Sequence, residues 1–406
     1  MMPIKIGLIG KTNTGKTTFY NSATLSGGEI STYPFTTKKP ERGTGNAITP
    51  CVHAEFGVKD NPQNSKCLDG WRFIPIELID LPGLIKGAWT GKGLGNQFLS
   101  VAAQSDALLH VVDVSGSVDS AGRIAEVGQG DPIADVSDIE EEMIMWYQKL
   151  LEGNRDKISK LVNSETDLVT AITDVFRGIG VKEYHVKESL KISGIEEKHF
   201  DSFSMEDSKK FSAHLRKISK PTLIVANKID LPGADKNFDR LREKYADTIT
   251  IPASADSELS LRRAEQKGLI KYVPGSEQFE ILHREALAKR QLDALEFITK
   301  GILGEYMRTG VQFAINVTVF KLLKMNSVYP VADPERLSDK KGHILPDLIL
   351  MKDGSTVEDL AKDIHSDLAK GLLYAKDVRY GVRLPTNYQL RDRDVVSLVS
   401  TKTKKS

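Results

Sequence analysis

The chain has 406 residues, of which 40% are hydrophobic and 27% are charged. This length predicts two or three domains. The 56 Lys and Arg residues are balanced by 55 Asp and Glu residues, which argues against a protein that coats nucleic acid, so any contact with RNA must be a local patch. The sequence holds neither a signal-peptide pattern nor an apolar run long enough to span a bilayer, which predicts a cytoplasmic protein that does not contact membranes.

Short apolar runs alternate with helical patterns up to about residue 300, which predicts an α/β fold with a mostly parallel sheet and helices on both faces. The predicted strands are Ile4–Ile9, Cys51–Val58, Phe73–Ile79, Ala107–Val114, Thr222–Ala226 and Thr248–Ile251.

A stretch of different texture separates the fourth and fifth strands. Its sequence DIEEEMIMWYQKLLEG begins with acidic residues, which suit a helix N-terminus, and carries an apolar stripe at helical spacing. The stripe consists of Ile139, Met143, Trp146, Tyr147, Leu150 and Leu151. We interpret the stretch as a helical hairpin or coiled-coil insertion, with a few additional covering helices as the alternative.

The last third of the chain predicts a long helix followed by a separate module. A helical pattern over Glu277–Tyr306 closes the first domain. After it, an alternating strand at Phe313–Leu322, a helix capped by Ser355 or Thr356 and a final strand at Arg393–Ser400 predict a small α+β module.

The two cysteines, Cys51 and Cys67, have neither a Cys-x-x-Cys partner nor a histidine cluster near them. We expect structural thiols in a reducing compartment rather than a metal or redox site.

The sequence GKTNTGKT at residues 10–17 follows the first strand and precedes a helix, as the phosphate loop of P-loop proteins does. Gly10 and Gly15 allow backbone N–H groups to approach phosphate oxygens, and the helix N-terminus adds partial positive charge. Lys16 is expected to reach the β- and γ-phosphates, and Thr17 to bind Mg²⁺. The other predicted nucleotide contacts of this loop are Asn13, Thr14 and Thr18.

A P-loop protein also needs a carboxylate at a neighbouring strand end, to hold Mg²⁺ through water and to sense the γ-phosphate. The sequence IPIELIDLPGL supplies Asp80, and Gly83 offers a backbone N–H beside it. DLPG occurs again at residues 230–233, but the order of the elements favours Asp80.

The sequence LIVANKID ends a predicted strand with Asn227, Lys228 and Asp230 in an Asn-Lys-x-Asp pattern. The Asp230 carboxylate can accept hydrogen bonds from guanine N1–H and the 2-amino group, which adenine does not offer; such a bidentate pair contributes about 1–3 kcal/mol of discrimination. The backbone of Ser254 and Ala255 is expected to contact guanine O6. The pattern predicts GTP rather than ATP, although an Asx turn would be the alternative for Asp230 alone.

Three stretches resemble the Obg superfamily of translation-factor-class GTPases: YPFTTKKP at residues 33–40, DLPGLIKGAWTGKGLGNQFL at 80–99, and Asn13 within the P-loop. The insertion and the tail resemble the YchF-related branch, which implies a G domain at 1–117 and 219–308, a helical domain at 118–218 and a β-grasp TGS domain at 312–401. The best-known YchF-type proteins replace the Lys-x-Asp end of the base motif and prefer ATP. This sequence keeps NKID, as the branch with GTP specificity does.

The resemblance implies further roles. Thr36 and Thr37 belong to switch I, where one of them coordinates Mg²⁺ in the GTP state, and we favour Thr37. The glycine-rich run at residues 87–95 is implied to be switch II. Leu84 stands where many regulatory GTPases carry a water-orienting glutamine, so a switch backbone group, a partner or a monovalent cation must position the water. Asn13 matches an asparagine that ligates a stimulating K⁺ in related GTPases, and an Asn that tolerates a turn is the alternative.

These features predict a slow, monomeric GTPase switch that hydrolyses GTP to GDP and phosphate, with Lys16, Thr37 and Gly83 in catalysis and Thr17, Thr37 and Asp80 at Mg²⁺. By resemblance, the helical and TGS domains would contact the ribosome or another RNA. Lys321, Lys324, Lys340 and Lys341 form either a phosphate-facing patch or ordinary solvated surface. The rival hypotheses are a scaffold that GTP stabilises without switching, and an ATPase of the neighbouring branch.

Overall fold

The computed structural model describes residues 3–25, 40–84, 87–90 and 95–401, which form two compact units. The described residues of the smaller unit are 3, 44–76 and 315–401, and those of the larger unit are 4–25, 40–43, 77–84, 87–90 and 95–314. Residues 44–76 are thus grouped apart from the rest of the segment predicted as the first part of the G domain. The functional domain boundaries stay a prediction.

The strands lie in both units. They are β1 (Lys5–Ile9), β2 (Glu41–Pro50), β3 (Lys66–Leu68), β4 (Trp71–Asp80), β5 (Ala107–Asp113), β6 (Thr222–Asn227), β7 (Thr250–Ala253), β8 (Ile270–Lys271), β9 (Glu280–Ile281), β10 (Met325–Val331), β11 (Ile349–Lys352), β12 (Leu372–Asp377), β13 (Arg383–Leu384) and β14 (Val395–Ser400).

The α-helices are α1 (Lys16–Thr24), α2 (His53–Phe56), α3 (Gly95–Ala103), α4 (Pro132–Gly153), α5 (Arg155–Asn163), α6 (Leu168–Phe176), α7 (Glu183–Ile192), α8 (Met205–Ser219), α9 (Ala234–Lys244), α10 (Ala255–Gln266), α11 (Lys289–Phe297), α12 (Gly304–Tyr306), α13 (Val311–Asn316), α14 (Val357–Ile364) and α15 (Ser366–Lys370). Two π-helical turns, Ile298–Leu303 and Val317–Leu322, continue α11 and α13. Among the described residues, no helix is long and apolar enough to cross a membrane.

The larger unit contains a parallel sheet in the order β4-β1-β5-β6-β7, which confirms the predicted fold class. β5 is buried along its whole length, as expected for a strand covered on both faces. In the register of this sheet, Leu8 pairs with Asp80, and Asp113 pairs with Asn227, which pairs in turn with Ala253. Parallel strands end at one edge, so these residues assemble the candidate site.

The insertion between β5 and β6 consists of helices α4 to α8, as the predicted helical texture indicated. Asp131 caps α4 by accepting a hydrogen bond from the Ile133 N–H at 3.0 Å, and Pro132 occupies the first turn. The predicted apolar stripe of α4 packs in a core that also contains residues of α3 and of α6 to α8. All residues of the stripe are buried except Leu150, which is partly buried.

The smaller unit contains a mixed sheet in the order β11-β10-β14-β12-β13, covered by α14. Thr356, one of the two predicted caps, accepts the Asp359 N–H at 3.3 Å, while the Asp359 carboxylate accepts the Thr356 N–H at 2.9 Å. This reciprocal pair fixes the start of α14.

Two predicted strands are wrong. Residues 51–58 contain helix α2, which Gly57 ends in the left-handed region at φ 63°, and the strand lies before them at Glu41–Pro50. Residues 313–322 are helical because the buried positions recur at helical rather than strand spacing. These positions are Val311, Ala314, Ile315, Thr318 and Val319.

The predicted helix Glu277–Tyr306 is wrong over its first twelve residues. Ile281 pairs with Ile270 in the β8–β9 hairpin, and Arg284–Ala286 forms a single 3₁₀ turn, so this part of the chain is not an α-helix. The helix begins only at Lys289, where the Gln291 side chain accepts the Ala288 N–H at 2.9 Å. Tertiary pairing overrides the local helical pattern here.

Candidate functional site

The loop between β1 and α1 has the backbone shape of a phosphate-binding loop. Gly10 and Gly15 adopt φ values of 144° and 94°. A Cβ atom on Gly10 would collide with the Val111 carbonyl, and one on Gly15 would collide with the Asn227 side chain. Only glycine fits at either position, as the sequence predicted for a loop that closely approaches its ligand.

Lys16 is buried at the start of α1, and its Nζ donates to the Lys11 carbonyl at 2.5 Å. Burial lowers the pKa of Lys16 to about 8, and the nearby Asp80 carboxylate opposes this effect. A buried cation favours an anionic ligand, because water no longer solvates the positive charge and negative phosphate oxygens would compensate it.

Thr17 and Asp80 form a candidate site for Mg²⁺. The Thr17 Oγ1 donates to Asp80 Oδ2 at 2.7 Å, and Asp80 Oδ1 is buried without a hydrogen-bond partner among the described residues. Desolvation raises the pKa of Asp80, against the opposing effects of the Lys16 charge and the Thr17 hydrogen bond. A divalent cation would satisfy the unpartnered oxygen and favour the ionised carboxylate, so this donor set fits Mg²⁺. Thr36 and Thr37 lie outside the described residues.

Gly83 and Leu84 pack directly on the P-loop. A Cβ atom on Gly83 would collide with Thr12, and the Leu84 N–H donates to the Gly10 carbonyl at 3.1 Å. The Leu84 side chain is 4% exposed and packs in the core with Ile9 and Leu81. Leu84 therefore has neither the polar group nor the orientation that would place a water molecule.

The other end of the site joins the P-loop to the ends of β6 and β7. The Asn227 Nδ2 donates to the Thr14 carbonyl at 2.8 Å, and its Oδ1 accepts the Ala255 N–H at 3.1 Å. Lys228, at φ 63°, donates from Nζ to Asp113 Oδ2 at 2.8 Å, and Asp230 is half-buried two residues later. This end is fixed by hydrogen bonds between strand ends.

The backbone groups assigned to guanine O6 already have protein acceptors. The Ala255 N–H donates to Asn227, and the Ser254 N–H donates to the Thr309 carbonyl at 2.8 Å. The Ser254 hydroxyl accepts the Ser257 N–H at 3.3 Å and so caps α10. The structure thus places Ser254 and Ala255 at the end of the site predicted to bind the base, which we call the base end. Their N–H groups donate to acceptors within the protein.

Sequence reasoning missed the contacts between the P-loop and the segment that begins the insertion. The Lys11 Nζ lies 2.6 Å from Asp135 Oδ1 and 2.9 Å from Asp138 Oδ2, both on α4. Burial by itself lowers the pKa of Lys11, but the two carboxylates have the larger combined effect and raise that pKa above its usual value. The acidic spacing at the start of α4, Asp-x-x-Asp, is the sequence signal that could have indicated a basic partner.

A loop before α4 also contacts the P-loop. The Gly122 carbonyl accepts Thr12 Oγ1 at 2.8 Å and Asn13 Nδ2 at 3.0 Å. Asn13 has φ 60°, a left-handed conformation that asparagine tolerates better than most residues. Asn13 thus combines the turn conformation with a side-chain contact outside the P-loop.

Helix α4 also holds the segment that follows Gly83. Glu142 accepts the Gly87 N–H at 2.5 Å and the Trp89 N–H at 3.0 Å. About two turns further along α4, Lys149 donates to the carbonyls of Trp89 and Thr90 at 3.2 and 3.1 Å. One helix therefore contacts both the P-loop and the segment after the DLPG motif.

Three family models match the chain. Residues 5–149 match a model described as 50S ribosome-binding GTPase, and residues 225–333 match one described as Obg-like GTPase YGR210-like, G4 motif-containing domain. Residues 340–400 match the TGS domain. The last match confirms the predicted identity of the C-terminal module.

Similar proteins carry descriptions of GTP binding or of ATPase activity. An uncharacterized GTP-binding protein of Methanocaldococcus jannaschii is 42% identical over 97% of this chain and 98% of its own length. The crystal structure of a GTP binding protein from Pyrococcus horikoshii has a TM-score of 0.79 at 34% identity, and the match covers 98% of this chain and 100% of that one. The ribosome-binding ATPase YchF of Bacillus subtilis is 30% identical over 66% of this chain and 70% of its own length.

Proposed function

The chain belongs to the Obg-like, YchF-related family of GTP-binding proteins, and from that membership we propose that it hydrolyses GTP to GDP and phosphate as a nucleotide-dependent switch. The observation that carries this proposal is the double contact of α4. Its N-terminal turn holds Lys11 of the P-loop, and its middle holds Gly87 and Trp89. A change at the γ-phosphate would therefore reach the insertion through one rigid element.

The proposed chemistry uses charge rather than a covalent intermediate. Lys16 would hold the β- and γ-phosphates and stabilise the charge on the transferred phosphoryl group, with the backbone N–H groups of the P-loop around it. The Gly83 N–H would respond to the presence or absence of the γ-phosphate, and Thr37 of switch I would do the same. These roles explain why the DLPG segment lies directly on the P-loop.

Thr17 and Asp80 would hold Mg²⁺, with Thr37 as a further ligand in the GTP state. The ion held by these residues would supply positive charge that neutralises the phosphate groups. The Asp80 Oδ1 is buried and has no hydrogen-bond partner within the described part of the chain, which supports this assignment because such a carboxylate oxygen otherwise bears an uncompensated desolvation cost.

We further propose that a K⁺ ion, rather than a side chain at position 84, aids the attacking water. The Asn13 Nδ2 is directed at the Gly122 carbonyl, which leaves the amide oxygen as the atom for a cation. GTP turnover should be faster in K⁺ than in Na⁺ for the wild type and equal in both salts for Asn13→Ala. Equal wild-type turnover in the two salts would leave Asn13 as a turn residue only.

The base end would select guanine through Asp230, positioned by the hydrogen bonds of Asn227 and Lys228. A competition assay separates this proposal from an ATPase: unlabelled GTP should displace labelled GTP, and ATP should not. Displacement by both nucleotides at similar concentrations would contradict the assignment.

The ribosome is the proposed partner, because a relative at 30% identity is described as ribosome-binding. The test is co-sedimentation of the full chain with ribosomal subunits, in the presence of GDP or of a non-hydrolysable GTP analogue. The switch predicts that binding differs between the two nucleotides. Equal binding in both states would favour a scaffold, and absence of binding in both would exclude this partner.

A further inference from the structure

Both cysteines of the chain lie in one cluster in the smaller unit, together with a histidine and a carboxylate. The potential ligand atoms of Cys51, His53, Asp60 and Cys67 all lie within 4.8 Å of one another. The sequence predicted structural thiols rather than a metal or redox site, and the fold places both thiols beside a histidine and a carboxylate. The available sequence signal was the Cys-x-His spacing at residues 51–53.

The closest pairs in the cluster have distances typical of ligands around one ion. The Cys51 Sγ lies 3.2 Å from Asp60 Oδ2, the Cys67 Sγ lies 3.4 Å from His53 Nδ1, and that nitrogen lies 3.5 Å from Asp60 Oδ2. Tetrahedral bonds of about 2.0–2.3 Å from zinc to oxygen, nitrogen and sulfur imply ligand separations of about 3.3–3.8 Å. The cluster needs only small side-chain shifts to reach that geometry.

We propose that Cys51, His53, Asp60 and Cys67 bind a structural Zn²⁺ ion. Two thiolates and an imidazole favour zinc over the hard cations Mg²⁺ and Ca²⁺, which prefer oxygen ligands. Four protein ligands fill a tetrahedral shell and leave no position for substrate, as in structural rather than catalytic zinc sites.

A buried arginine completes the charge balance of this site. Zn²⁺ with two thiolates and one carboxylate carries a net charge of −1. The Arg72 side chain is fully buried, and its Nη1 lies 2.8 Å from Asp60 Oδ2. The guanidinium would therefore neutralise the site and orient Asp60, as outer partners of metal ligands commonly do.

The local backbone places the ligands without help from distant parts of the chain. Cys51 follows β2, and its N–H donates to the Gly70 carbonyl at 2.8 Å in the turn between β3 and β4. His53 opens α2, and Cys67 is the middle residue of β3, where it pairs with Arg72 of β4. Cys51 lies directly after β2, and Asp60 lies in irregular chain that the ion would fix.

The loop after Asp60 gives the ion a structural role. The N–H groups of Asn61 and Gln63 donate to the carbonyls of Ile344 and Pro346 at 2.8 and 2.7 Å, and Asn64 exchanges hydrogen bonds with Leu348 at 2.9 and 3.0 Å. All these residues belong to the smaller unit. Zinc would thereby hold the loop 57–65 in the conformation that pairs with the segment before β11.

The metal content of the full chain tests the proposal directly. The protein is prepared without a histidine tag, dialysed after Zn²⁺ exposure and analysed by plasma mass spectrometry. We expect about one Zn²⁺ per chain for the wild type and less than about a tenth of that for Cys67→Ala. The matched control is His343→Ala, which removes a histidine 2.8 Å from Asp339 in the same unit and should keep the zinc. Wild type without zinc, or Cys67→Ala with full zinc, would overturn the proposal.

A cobalt titration of the wild type covers the case in which the variant does not fold. Co²⁺ should give the strong visible bands of tetrahedral coordination, together with a sulfur-to-cobalt charge-transfer band. Weak octahedral bands would contradict the site. Alkylation of the unreduced, unfolded protein after chelation should find two free thiols per chain, and a Cys51–Cys67 disulfide would contradict it as well.

Discussion

The two ends of the candidate nucleotide site are built differently. At the base end, the side chains of Asn227 and Lys228 hydrogen-bond to Thr14 and Asp113, which lie outside the insertion. Helix α4 of the insertion adds apolar packing there, since Val136 shares a hydrophobic core with Ile229. At the phosphate end, Lys11 bonds to carboxylates of α4, a helix of the insertion. We infer from this difference that the base end would select the nucleotide and that the phosphate end would transmit which nucleotide is bound.

Removal of the Lys16 charge should have the largest effect and disable the phosphate end alone. For Lys16→Ala we expect GTP turnover to fall about 100-fold to 1000-fold, because a group that stabilises transition-state charge is lost. Steady-state phosphate release measures this. Lys210→Ala, which removes a surface lysine on α8, should retain wild-type turnover. Comparable turnover of Lys16→Ala and wild type would place phosphate chemistry elsewhere.

Substitution of Asp230 should disable the base end alone. Asp230→Asn is expected to reduce the preference for GTP over ATP about 10-fold to 100-fold, since about 1–3 kcal/mol of bidentate recognition is lost. XTP should gain affinity, because the Asn amide can donate to the 2-oxo group of xanthine. Competitive binding with labelled nucleotide measures all three ligands, and Asp256→Asn on α10 is the control. An unchanged GTP preference would show that Asp230 does not contact the base.

Loss of Glu142 should separate the phosphate end from α4. Glu142→Ala removes the acceptor of the Gly87 and Trp89 N–H groups, each a hydrogen bond to a charged group. We expect hydrogen exchange of these amides to become about 10-fold faster or more. The neighbouring variant Glu141→Ala loses only a surface ion pair with Lys209 and should exchange as the wild type does. Equal exchange in both variants would argue against this contact.

The pH dependence of nucleotide binding should give the smallest effect and sharpen the role of Lys16. Its pKa is lowered to about 8 by burial, and a bound phosphate should raise it again. Binding of GDP should therefore take up about half a proton at pH 8, and affinity should fall as pH rises through this value. Calorimetry in buffers of different ionisation enthalpy measures the uptake. Zero uptake between about pH 7 and 9 would contradict a titrating Lys16.

The candidate residues that local sequence patterns single out lie where those patterns place them, at the ends of parallel strands and in the loop after β1, and their roles stay a prediction. Gly10 and Gly15 are recognisable because their backbone conformation excludes other residues, and Asp80 and Asn227 are recognisable because they end buried strands. The Lys11–Asp135 ion pair joins residues 124 positions apart, and its formation depends on how α4 packs. The Asp-x-x-Asp spacing of α4 can indicate a basic partner, but it does not identify that partner as Lys11.

The errors have the same physical origin. The sequence of residues 313–322 alternates in hydrophobicity like a strand. In the structure their buried side chains recur at helical spacing, and the segment is helical. Cys51 and Cys67 look unrelated in sequence because the β3–β4 turn and helix α2 bring them together only in the fold. Tertiary context decided each of these cases.

Hydrogen exchange of the wild-type protein in two nucleotide states tests the central claim most directly. The protein is compared with bound GDP and with a bound non-hydrolysable GTP analogue, peptide by peptide. Our account predicts that the first turns of α4 and residues 87–90 change protection between the two states, while the strand ends at Asn227 and Ala253 are protected equally in both. Identical protection of α4 with GDP and with the analogue would contradict the claim that this helix senses the phosphate end.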